Sequence, residues 1–180
     1  MARRLTTLYA SVLLMLLATT WVFLGMRSVM DIGGSCGSGG PYEIATPCPT
    51  DVAVFLTLGI PIMVVAALVG SAVAMGLGAP NLLLPMWWLL FGSLGWNFLE
   101  YGLFGGEVVW GWVLCGVMFE LMALPALLIQ LPWGWSGPAG AQARLTPAEP
   151  TASPTSWVVA YLLLGAVGVA LGWWSFNAWA

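Results

Sequence analysis

Two glutamates, an asparagine and a pair of cysteines are the side chains of this sequence best placed to do chemistry. Asn97 and Glu100 stand in WNFLEYG (Trp96 to Gly102) and Glu120 in MFELMALP (Met118 to Pro125), both within long apolar runs. A carboxylate in hydrocarbon costs several kcal/mol, so these residues are expected to face protein, water or a partner. Three roles are open for them. Carboxyl and amide groups can pass a proton or hold a cation with the help of water. A neutral Glu120 can donate a single hydrogen bond to a neighbouring helix, or the site can meet another subunit. Cys36 and Cys48 fall in GGSCGSGGPYEIATPCP (Gly33 to Pro49), a glycine-rich polar stretch between two apolar runs. Such a pair can exchange disulfides, help hold a metal, anchor a lipid or staple a loop.

The elements that position these groups follow from composition. Hydrophobic residues make up 61% of the 180 and charged ones 6%, against roughly a quarter charged in a soluble domain. The chain is therefore expected to be an all-α integral membrane protein, a single membrane domain over 1–180 whose first partner is the lipid bilayer. A crossing helix needs about 20 apolar residues. Five runs qualify, at about 7–26, 52–75, 82–104, 108–130 and 157–178, which predicts a bundle of five transmembrane helices. Twelve tryptophans suit a short protein with many helix ends at the membrane interfaces. Arg3 and Arg4 before the first run also resemble a signal peptide, but the run continues through Trp21 to Met26 with no A-x-A site, so it is read as retained.

Arginine placement orients the bundle. An N-in, C-out arrangement puts Arg3, Arg4 and Arg144 in the cytoplasm and Arg27 outside, as the positive-inside rule favours. Residues 27–51 then form an external loop and 131–156 a flexible cytoplasmic linker rich in Pro, Ala, Ser and Thr, whose Leu131 to Trp135 start rests at the interface. Gly76 to Asn81 and Gly105 to Glu107 form tight turns that make the helices on either side antiparallel neighbours. Helix packing is signposted by small residues, which let backbones approach in lipid. Ala66, Gly70, Ala74 and Gly78 repeat every four residues in the second run, and Gly168 and Gly172 do so in the fifth. Either a neighbour in the same bundle or a partner subunit can fill such faces. Pro61, Pro85 and Pro125 are each expected to kink a helix.

With this frame the candidate residues can be placed. Taking the turn at Gly105 as zero, Glu100 is about 7 Å deep and Glu120 about 18 to 20 Å deep. They cannot share one proton as a hydrolytic dyad does, but the offset allows a relay from Glu100 through Asn97 to Glu120. Arg27 can pair with Asp31, Glu43, Asp51 or Glu100, and Cys115 is expected to be an inert packing residue. Cys36 follows polar residues and lacks the leucine of a lipid-attachment site. Two cysteines without histidine do not make a zinc site. Eleven intervening residues do not fit the C-x-x-C of disulfide exchange. On an external, oxidising face the expected product is a structural Cys36–Cys48 bridge, worth roughly 3 kcal/mol by loop entropy. Gly33, Gly34, Gly39 and Gly40 with Pro41, Pro47 and Pro49 let the loop turn tightly, and Tyr42 and Ile44 give it an apolar side to rest on the helix ends.

The same stretch carries a resemblance. GGSCGSGGPYEIATPCP resembles an external motif of polytopic actinobacterial membrane proteins with no assigned function, in which the two cysteines and the PY-x-IA-x-PCP portion are arranged alike. The likeness covers about 17 residues, and it implies a plasma-membrane protein whose cysteine loop is extracytoplasmic. No residue role comes with it.

Other classes are excluded or weakened by composition. Four basic residues and no histidine leave no surface for nucleic acid, no His-based triad and no His-held haem or zinc. No cofactor, no metal site and no catalytic residue is expected. The favoured function is a non-catalytic component or accessory subunit of a membrane assembly, joined to a membrane-protein partner or a second copy. A small transporter, channel or proton-handling protein using Glu120, Asn97 and Glu100 is the alternative. External thiol–disulfide exchange at Cys36 and Cys48 is a weaker one.

Overall fold

The computed structural model describes residues 1–34, 36–37, 46–49, 51–130 and 153–179. Among these the chain is helical, with five helices in the order α1 (Ala2–Asp31), α2 (Val52–Met75), α3 (Leu83–Phe104), α4 (Trp110–Gln130) and α5 (Pro154–Trp179). Four of them, α1, α2, α4 and α5, are long and apolar enough to cross a membrane. Most of the 131–156 linker, with Arg144 and the Leu131 to Trp135 stretch, lies outside the described residues. So do Glu43 and the loop-tip residues Gly39, Gly40, Pro41, Tyr42 and Ile44.

The helix ends differ from expectation for identifiable reasons. α1 runs on past Met26 to Asp31 because Met30 is buried and Arg27 is held by α3, so the loop after it starts at Ile32 rather than at residue 27. α5 begins at Pro154, ahead of the expected 157. The Ser153 hydroxyl accepts from Ser156 N at 3.2 Å, and proline at the first helical position lacks only an N–H that would be unpaired anyway. Pro85, expected to kink α3, sits in its first turn, where it removes no helical hydrogen bond. Pro61 and Pro125 are inside α2 and α4.

α1 is the hub. α2, α3 and α5 all pack on it, whereas α4 packs along its length against α3. The main core joins Leu8, Val12 and Met15 of α1 to Met63 and Ala67 of α2 and to Leu77 and Leu82 of the following turn. That cluster contains no α4 residue. The small-residue stripes seat these contacts. Ala66, Gly70 and Ala74 are buried in α2, and a Cβ at Gly70 would lie 2.8 Å from Ser11 Cβ of α1. Gly78, expected to extend the stripe, lies beyond the end of α2. Its φ of 64° belongs to the turn, which closes when Leu82 N donates to the Ser71 hydroxyl at 2.9 Å. Gly168 and Gly172 bring α5 onto α1, where added Cβ atoms would stand 2.6 Å from Leu13 O and 2.8 Å from Leu17 O.

Candidate functional site

Glu120 lies on the side of α4 that meets α3. Its carboxyl rests on Gly95, where a Cβ would come within 2.8 Å of Oε1, and near Gly92 one turn away. The backbones are close because Gly116 of α4 faces Leu99 N and Gly95 O, with no room for a side chain. Measured from Trp110, Glu120 is about 15 Å along α4, half the thickness of a hydrocarbon core. It borders an open groove of about 210 Å³ whose other walls, among them Leu99, Val117, Leu121 and Leu124, are apolar. Among the described residues its carboxyl has no hydrogen-bond or ion-pair partner. The cradle of Gly92, Gly95 and Gly116 was not among the expected features, although FGSLG carried the signal as two glycines one helical turn apart.

Glu100 and Asn97 look the other way. On α3 they are three residues apart and face α1, whereas Gly92, Gly95 and Gly102 face α4. The body of α3 thus separates them from Glu120, and the expected relay from Glu100 through Asn97 to Glu120 is not assembled. Asn97 is fully buried; its amide donates to Phe23 O of α1 at 3.2 Å, and among the described residues its Oδ1 has no partner.

Glu100 is taken by Arg27 in a two-pronged ion pair at 2.6 and 2.9 Å. The guanidinium also lies 5.7 Å from the Phe23 ring centroid and 5.4 Å from that of Tyr101, whose hydroxyl donates to Asp31. Of the four carboxylates in expected reach, Arg27 takes Glu100, and it does not stand at the end of its helix. It is instead inside α1 and clamps it to α3. The two side chains are about one-third exposed, between the surface case, worth little, and the buried case, where removing one partner costs several kcal/mol. Glu100→Ala is therefore expected to lower stability in detergent by about 2 kcal/mol. The swapped pair Arg27→Glu with Glu100→Arg should recover part of that loss in a thermal melt, and no recovery would mean the pair contributes no specific bonding.

The Cys36–Cys48 disulfide is present, with 4.9 Å between Cα atoms. Beside it Gly37 N donates to Thr46 O at 3.0 Å, so the base of the loop is closed twice. Gly34, at φ 81°, leads into it and packs on the Trp112 ring of α4, where a Cβ would be 2.7 Å from the indole. Cys115, expected to be an inert packing residue, is on the exposed side of α4, and the neighbouring Gly116 is the residue that meets α3. Among the described residues no group of three or more His, Cys, Asp or Glu is placed to hold a metal. Polar atoms at helix ends are tied locally: Trp88 Nε1 donates to Gln130 Oε1 at 2.5 Å, Tyr161 to Pro80 O at 2.9 Å and Trp21 Nε1 to Ser175 at 2.8 Å.

Compared with protein families, curated proteins and solved structures, the chain matches none.

Proposed function

We propose that the chain is a five-span, N-in/C-out component of a larger plasma-membrane assembly, and that its partner docks over the groove between α3 and α4. Glu120 carries this reading. A carboxyl about midway through the membrane, beside an open apolar groove and without a partner among the described residues, needs a donor that hydrocarbon does not supply. A neighbouring helix bearing a hydroxyl, amide or basic group would provide one, and the exposed Leu121 and Val117 beside it provide the surrounding apolar surface.

The orientation is supported by charge. Arg3 and Arg4 stand at one end of α1, while Asp31, Asp51, Glu100 and Glu107 gather at the other with Arg27 already paired. It would place the cysteine loop outside, in keeping with its likeness to the actinobacterial motif. Crossing by α3 is supported by length, since its 22 residues span about 33 Å. Its polar side chains also find partners inside the protein: Glu100 on Arg27, Asn97 on Phe23 and Trp87 on Met122 O.

The test is retention of a partner in mild detergent, with a photo-crosslinking residue in place of Leu121. A stoichiometric cross-linked species is expected, reduced about tenfold by Glu120→Leu through loss of an interhelical hydrogen bond. Doubling of the mass would make the partner a second copy. A solitary, monodisperse wild-type protein would overturn the reading, and Glu120-dependent proton flux in liposomes would replace it with the transport alternative.

A further inference from the structure

A second groove lies far from Glu120, between α1 and α2, with a volume of about 740 Å³. It is lined by the small residues Ala10, Ser11 and Ala66 and by the apolar Leu14, Pro61, Val65 and Val69. The mouth at one end is formed by Arg3, with Thr6 and Thr7. Both threonine hydroxyls already donate to backbone carbonyls of their own helix, at 3.1 and 2.9 Å. The guanidinium of Arg3 is therefore the donor set left at the mouth, and no ion pair to it exists among the described residues.

Charge and length together name the occupant. Arg3 and Arg4 sit in the first turn of a 30-residue helix, where the helix dipole already presents positive potential. An anion there relieves that repulsion, and a guanidinium matches phosphate geometry with paired donors. From Arg3 to Leu14 the groove follows α1 for about 16 Å. That is half of a hydrocarbon core of about 30 Å, too short for a crossing helix and right for one leaflet. We infer that the groove between α1 and α2 binds an anionic glycerophospholipid, with its phosphate on Arg3 and one acyl chain laid along Leu14, Pro61, Val65 and Val69. The lipid enters from the leaflet at the Arg3 end. Docking on α4 is not required for it.

The test is native mass spectrometry of the full chain, released from mild detergent after equilibration with equimolar phosphatidylglycerol and phosphatidylcholine. The wild type should retain phosphatidylglycerol in preference. Arg3→Gln, which keeps Arg4 as a topological signal, should lower that preference about fivefold, the effect of one cationic side chain at an anionic surface. Val65→Trp fills the groove from a position 58% exposed, so it leaves folding intact; it should remove the retained lipid with no change in melting temperature. Added inorganic phosphate should not displace the lipid. Equal retention of the two lipids, an unchanged preference in Arg3→Gln, undiminished retention in Val65→Trp, or displacement by phosphate alone would each overturn the inference.

Discussion

Leucine in place of Gly168 is expected to free α5 from α1, at a loss of more than about 3 kcal/mol, the upper part of the overpacking range. The obstacle is backbone: a Cβ at this position would stand 2.6 Å from Leu13 O and 3.3 Å from Leu17 N. No rotamer avoids it, and α1 cannot retreat because its other faces hold α2 and α3. α5 is held elsewhere by the Gly172 approach to Leu17, by Trp157 in the core, by Phe176 against Phe55 and by the Trp21–Ser175 and Tyr161–Pro80 bonds, all of which need the same close seating. A protease site placed between Gln130 and Ser153 supplies the readout. After cleavage the α5 fragment should co-purify with the rest of the wild-type protein and separate in Gly168→Leu. Gly165→Ala is the control, since its Cβ would meet only Leu16 Cγ at an ordinary 3.6 Å. If Gly165→Ala does as much damage as Gly168→Leu, the close backbone approach is not what holds α5.

The contrast between those two glycines shows what was legible in the sequence. Small residues four apart mark a close approach because closeness is the only thing they provide, so Ala66, Gly70, Gly168 and Gly172 could be read directly. Which helix they approach could not, because a glycine stripe carries no information about its counterpart. Gly78 kept the spacing and still left the stripe: the helix had ended, and a positive φ at the turn was the stronger demand on a glycine.

The candidate site was legible in depth but not in direction. Counting residues from a tight turn gives how far Glu100 and Glu120 lie along their helices, since the rise per residue is fixed. Direction depends on how α3 and α4 are rotated against each other, and that is set by Gly92, Gly95 and Gly116, where the backbones can touch. Arg27 was ambiguous for a similar reason. Four carboxylates were within plausible reach of its long side chain, and in the fold Tyr101 holds Asp31 and lays its ring against the guanidinium while Glu100 takes the ion pair.

Asn97→Asp is expected to be the most damaging single change at the α1–α3 seam, at about 3 to 5 kcal/mol, the range for an uncompensated charge in the interior. Asn97 is 0% exposed, and its one hydrogen bond is a donation to the carbonyl of Phe23. An aspartate would turn that donor into an acceptor aimed at an acceptor, one turn from Glu100, whose counter-ion Arg27 is already fully engaged. Asn97→Leu should be far milder, within about 1.5 kcal/mol. It gives up one hydrogen bond but also removes Oδ1, a buried acceptor with no partner among the described residues. Thermal melts of the two variants in one detergent test this ordering. A proton path through Asn97 predicts the opposite pattern, in which aspartate supports flux and leucine abolishes it in a folded protein. Finding that pattern would show that the side chain is wet, and that its burial against α1 serves conduction rather than packing.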